Sequence, residues 1–141
     1  MPSKFHELDV NAKLKDRRKL SGFLDDLVAR YNKKYKQCSL TYIFCTDEYL
    51  LGINQQFLNH DTYTDIITFD LSEGDMLIGE IYISTDRVAE NAASLDVAYK
   101  TELHRVLFHG ALHLCGFKDK TAKDKQEMRA KEDECLQRYF K

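Results

Sequence analysis

The sequence has no tryptophan, a single proline (Pro2) and only six glycines in 141 residues. With proline confined to position 2 and no repeat or low-complexity stretch, nothing reads as a linker, and residues 1–141 are expected to form one domain. Runs of the ~18 apolar residues needed to cross a bilayer are missing, and "MPSKFHELDV" lacks an apolar signal-peptide core. The expectation is a cytoplasmic protein with no membrane partner. Cys38, Cys45, Cys115 and Cys135 are far apart and form no CxxC pair. That argues against a disulfide frame, a disulfide-linked partner or a zinc knuckle, and for reduced cysteines in a core. Net charge is also scarce: 21 Lys and Arg against 23 Asp and Glu leave −2. A wholly basic nucleic-acid binder is excluded, although a local basic patch is not.

What is present describes an ordinary folded chain, 43% hydrophobic and 31% charged. A chain of this length buries roughly two-thirds of its extended-state surface, enough for a core without staples.

Residues 5–10 read as a short strand. Leu20, Phe23, Leu24, Leu27, Val28 and Tyr31 then follow the spacing of an amphipathic helix. "CSLTYIFC" is rich in aromatic and β-branched residues and reads as a strand. Thr46 and Asp47 are natural N-caps for a helix carrying Leu50, Ile53 and Phe57. "TDIITFDL" and "LIGEIYIS", separated by "EGDM", are expected to pair as an antiparallel hairpin. From Asp86 the pattern is helical: "RVAENAASL", "TELHRVLFHGALHLC", and about Asp124 to Tyr139, with Thr121 and Asp124 spaced as a capping box. The expected architecture is α+β, a small mixed sheet of three to four strands packed against about five helices.

Chemistry concentrates in "HGALHLCGFKDK", residues 109–120. At 100° per residue from Leu103, apolar side chains take most of the helix circle, and Arg105, His109 and His113 share one narrow polar line. A helix so apolar must be largely buried, so this line faces a cleft or polar pocket. His109 and His113 are one turn apart and suit a shared metal ion, whereas Cys115 points off the line. Gly116 is placed to stop the helix and turn the chain back, which makes Asp119 the best third ligand. Two readings fit the pair at this level: a metal site, or core histidines with satisfied hydrogen bonds. A zinc-protease motif would need glutamate where Gly110 stands.

The same segment resembles the YbeY family of endoribonucleases and rRNA maturation factors, whose pattern is H-G-x-L-H-L-x-G-Y/F-D-H. His109, Gly110, Leu112, His113, Leu114, Gly116 and Phe117 match it. "INQQFLNHDTYTDIITFD" resembles the family's LNxxYRxxDxPTDVLSFP at Asn54, Phe57, Asp61, Thr64, Asp65 and Phe69. "IGEIYIS" resembles GDIxIS at Gly79, Glu80, Ile83 and Ser84. The resemblance implies a metal-dependent, single-strand-specific endoribonuclease acting in 16S rRNA maturation and ribosome quality control. It implies RNA or ribosomal particles as partners, with a ribosomal protein or assembly GTPase besides. The chain departs from the pattern in two of these segments. The family's third histidine ligand falls on Asp119 and its neighbouring aspartate on Lys118, and its functional arginine falls on Leu58. Two histidines and a carboxylate still make a zinc set, so His109, His113 and Asp119 are expected to hold one Zn²⁺. Glu80 is expected to support the ligands or take a proton, and His60 or Arg105 to compensate for Leu58. Arg87, Lys100, Arg105, Lys118 and Lys120 are the cations expected beside the cleft. The mixed charges of "KDKQEMRAKEDE" are expected to be a solvated face. The rival reading is a factor that binds RNA or protein in ribosome assembly without cutting, its metal structural or absent.

Overall fold

The computed structural model describes residues 3–32, 34–57 and 64–141. Its elements are β1 (Lys4–Glu7), α1 (Arg17–Tyr31), β2 (Gln37–Cys45), α2 (Asp47–Phe57), β3 (Ile66–Asp70) and β4 (Met76–Ser84), then α3 (Thr85–Leu95), α4 (Tyr99–Leu114) and α5 (Ala122–Tyr139). The α+β expectation holds. The strands form one sheet in the order β1-β2-β4-β3. The β3–β4 hairpin is antiparallel as expected, pairing Thr68 with Ile81 and Phe69 with Glu80, with Gly74 at φ 58° in the turn between them. β2 lies parallel to both β1 and β4. Local patterns do not specify such pairs, because the partners meet only through long crossovers.

Helix boundaries follow the caps. Thr46 Oγ1 accepts the Tyr49 N–H at 3.1 Å ahead of α2. Thr121 and Asp124 form the capping box of α5, the Asp124 N–H donating to Thr121 Oγ1 at 3.0 Å. The strand alternation divides the sheet into two faces. Leu40, Tyr42, Phe44, Leu77, Ile81 and Ile83 join α1, α4 and α5 in the larger core. Cys45, Ile67, Phe69 and Tyr82 pack on the other face against Leu50 and Ile53 of α2. The cysteines are all free, Cys45 and Cys135 buried and the other two half-buried. Among the described residues no helix is long and apolar enough to cross a membrane.

α4 lies close on the sheet because position 110 has no side chain. A Cβ there would stand 3.1 Å from Ile66 Cδ1 and 3.1 Å from Ile81 Cγ2, tighter than ordinary packing. The position at which a zinc protease carries its glutamate therefore points into the sheet. Gly110→Leu is expected to overpack this contact and destabilise the fold by about 1–3 kcal/mol. Urea unfolding measures it, and an unchanged midpoint would refute the close approach.

The far side of α4 carries a buried histidine. His104 is 4% exposed, stacked on Tyr139 and edge-on to Phe140, with ring centroids 5.2 and 4.9 Å away. Its Nδ1 lies 2.7 Å from the Lys100 carbonyl, which accepts only from an Nδ1–H. Burial lowers its pKa below the usual 6.5, assisted by the charges of Lys100 and Lys19 and opposed by that hydrogen bond. Because the folded value lies below the unfolded one, the neutral ring's contribution is whole above about pH 6.5 and is lost as pH falls through the folded value. His104→Phe is expected to flatten the stability–pH curve between about pH 7 and 5. Equal slopes in wild type and variant would contradict this.

Candidate functional site

A cleft of about 390 Å³ opens between α4, the start of β3, the loop after α4, and α5. α4 contributes Glu102, Arg105, His109 and His113; β3 and the residues before it contribute Asp65 and Thr68. The loop contributes Asp119, and α5 contributes Arg129 and Glu132.

The helix end places Asp119. Cys115 closes α4, Gly116 follows at φ 106°, and the Gly116 and Phe117 N–H groups donate to the His113 and Leu112 carbonyls at 3.0 and 3.1 Å. This is a Schellman stop, and glycine takes the left-handed position most other residues avoid. The reversed chain brings Asp119 Oδ2 to 3.5 Å from His109 Nε2. Phe117 packs edge-on against Tyr31 of α1, ring centroids 5.2 Å apart, and anchors the loop.

The other nitrogen of His109 is engaged. Nδ1 lies 2.7 Å from Glu132 Oε2. An ionised carboxylate only accepts, so Nδ1 carries the proton and Nε2 is left to face Asp119. Burial lowers the His109 pKa, but the hydrogen bond to Glu132 and the charges of Glu132, Asp119 and Asp65 outweigh it, and the net shift is upward. Glu132 is 5% exposed and also accepts from Arg105 Nη1 at 3.2 Å. Arg105 Nη2 donates to Asp133 Oδ1 at 2.7 Å. Burial raises the carboxyl pKa values of Asp65 and Glu102, and Glu102 Oε1 is buried with no hydrogen-bond partner, its nearest cation being Arg105 Nε at 4.0 Å.

The donor set suits a tetrahedral ion in part. Two atoms each ~2.0–2.2 Å from one such ion stand ~3.3–3.6 Å apart, and His109 Nε2 and Asp119 Oδ2 already have that spacing. The rings of His109 and His113 are parallel within 2° with centroids 6.5 Å apart, so His113 has to swing inward to join them. Among the described residues no three His, Cys, Asp or Glu side chains stand together as a ready metal group. His113 is exposed.

The structure thus gathers four of the five expected site residues: Arg105, His109, His113 and Asp119. It does not bring Glu80 to them. Alternation along β4 turns Glu80 to the α2 face, where it accepts the Tyr82 hydroxyl at 2.8 Å and lines a separate cavity with Tyr49, Phe57 and Phe69. Arg105 is in place, but its guanidinium is committed to carboxylates. Among the five cations expected beside the cleft, only Arg105 lines it. Arg87 pairs with Asp47 at 2.7 Å, and Lys100 sits over the Phe140 ring at 4.9 Å. Leu58 and His60 lie outside the described residues.

Two further residues escaped the sequence reading. Glu102 lies seven residues before His109 on the same polar line, just ahead of Leu103, where the angular count began. Glu132 sits in α5, whose charges mostly face solvent as expected; Glu132 is the exception and joins the buried stripe of Met128, Cys135, Leu136 and Tyr139. An acid at helical spacing within an apolar stripe was the available signal.

The fold and cleft define a class: an α+β domain whose central buried helix presents two histidines, with a carboxylate from the following loop, to a solvent-open acidic cleft. Comparisons with known proteins give the family. The family described as endoribonuclease YbeY matches residues 5–140. A Porphyromonas gingivalis protein named endoribonuclease YbeY is 52% identical over 121 residues, covering 85% of this chain and 79% of its own. A Cytophaga hutchinsonii protein of that name is 51% identical over 133 residues, 94% of this chain and 92% of its own. Among solved structures, the solution structure of a Thermotoga maritima protein aligns with a TM-score of 0.63 at 25% identity, covering 98% of this chain and 89% of its own. The chain belongs to the YbeY family.

Proposed function

We propose that the chain is a metal-dependent endoribonuclease that hydrolyses phosphodiester bonds of single-stranded RNA in rRNA maturation, with His109, His113 and Asp119 holding one Zn²⁺. The reading is carried by one observation: His109 Nε2 faces Asp119 Oδ2 at 3.5 Å while Glu132 holds Nδ1 from behind at 2.7 Å. A carboxylate behind a ligating imidazole fixes its tautomer and raises its basicity toward a metal.

When bound, such an ion supplies Lewis acidity toward a phosphoryl oxygen or a water molecule. The chain's own residues do the rest. Glu132 keeps the His109 proton on Nδ1, and Arg105 keeps Glu132 in place. Asp65 lines the same cleft, and burial raises its pKa above the usual carboxylate value, so it replaces Glu80 as the carboxylate placed to accept a proton from the attacking water. The cleft's carboxylates outnumber its two arginines and repel a phosphodiester, so the reading needs a bound metal ion to offset their charge.

The test is cleavage of an end-labelled single-stranded RNA by zinc-loaded protein. Wild type cuts, and His109→Ala loses about 10³-fold or more of the rate, in keeping with loss of the reactive ion. Wild type that binds this RNA without cutting it would leave the assembly-factor reading in its place.

A further inference from the structure

A phosphodiester entering the cleft meets Asp65, Glu102, Asp119 and Glu132, and one metal ion offsets only part of that charge. Two arginines line the same cleft. Arg105 is 15% exposed and spends its donors on Glu132 and Asp133, at 3.2 and 2.7 Å. Arg129 is exposed on α5 and, among the described residues, makes no hydrogen bond or ion pair, although it lies within electrostatic reach of Glu102. A second cavity of about 450 Å³ opens beside the His109–Asp119 pair, and Arg129 lines it too, together with Lys125. Among the described residues the Lys125 side chain makes no hydrogen bond or ion pair. Residues four apart share a helix face, so both side chains border the groove in which the donor pair lies.

We propose that Arg129, with Lys125 one turn before it, is the phosphate-contacting pair of this cleft and grips the RNA backbone beside the bond to be cut. The inference rests on the endoribonuclease reading and deepens it. A guanidinium fork suits two oxygens of one phosphate, and an ammonium group suits a neighbouring phosphate as a point charge. The two side chains belong to the helix whose buried stripe carries Glu132, so one element both orients His109 and holds the substrate.

The experiment is fluorescence anisotropy of a labelled, hydrolysis-resistant phosphorothioate 12-nucleotide oligouridylate with zinc-loaded protein across a potassium chloride series. Arg129→Ala is expected to weaken binding about tenfold, the loss of one charge-assisted contact. It should also reduce the slope of log affinity against log salt by about 0.7, and adding Lys125→Ala should remove about as much again. Arg129→Lys should keep the slope while losing part of the affinity. Arg138→Ala, on the same helix but paired with Glu134 away from the cleft, is the control and should change neither. Zinc content and thermal midpoint should match wild type in every variant, so that a binding defect is not a folding defect. Wild-type affinity and slope in the Lys125→Ala, Arg129→Ala double variant would overturn the pair while leaving the nuclease reading intact. Wild type that neither binds nor cuts RNA would overturn both.

Discussion

About one zinc per chain is the expected content of wild type, and under about a tenth of that in His109→Ala, His113→Ala and Asp119→Ala, measured by elemental mass spectrometry after gentle purification. The argument is coordination number. A catalytic zinc site uses three protein donors and leaves one position open, so losing one donor leaves a two-point contact that buffer chelators strip. The three variants test different parts of the site. His109 and Asp119 already have the spacing of a shared ion, while His113 must close onto them. Zinc retained in Asp119→Ala would remove the carboxylate from the ligand set. Zinc retained in His113→Ala would mean that the inward swing never occurs. Asp119 is about half exposed and His113 is exposed, so neither substitution should disturb the metal-free fold.

Glu132 variants are expected to give the second large effect, on metal affinity and fold together. Glu132→Gln keeps the shape but replaces an ionised acceptor with a neutral one. Zinc affinity, measured by chelator competition, should fall about 10- to 100-fold, the usual loss when a carboxylate behind a ligating imidazole is removed. Glu132→Ala also strips Arg105 of a partner 3.2 Å away in a setting where the arginine side chain is only 15% exposed. Breaking a buried ion pair from one side costs about 3–5 kcal/mol, and Asp133 still holds the other guanidinium nitrogen, so the lower end is expected. Urea unfolding of the metal-free protein reads this directly. Full affinity and stability in both variants would show that His109 needs no support from α5.

Much of this protein was legible along the chain. α4 announced itself by an apolar circle broken by one polar line, and α5 by the capping box at Thr121 and Asp124. The β3–β4 hairpin was legible because its partners are neighbours in sequence. Arg105, His109 and His113 were found as one line because helical spacing is a local property. Asp119 was found because a glycine stop has a local geometry. Each of these inferences uses interactions reaching no further than a few residues.

Tertiary structure decided what local spacing does not contain. Whether Glu80 faces the histidines depends on which face of β4 packs on α4, and the sheet turned it toward α2 instead. Whether Arg105 is available to a phosphate depends on Glu132 and Asp133, which reach it from a helix more than 25 positions further along. Arg105 and Arg129 look alike in the sequence, yet one is locked by carboxylates and the other stands open at the cleft. By itself, then, the sequence determined the helices, the hairpin and the candidate metal donors, because caps, periodicity and turns act over one or two helical turns. The parallel strand pairs and the partners of each charged group were decided only by the assembled fold, because a charge is set by what packs against it across the cleft.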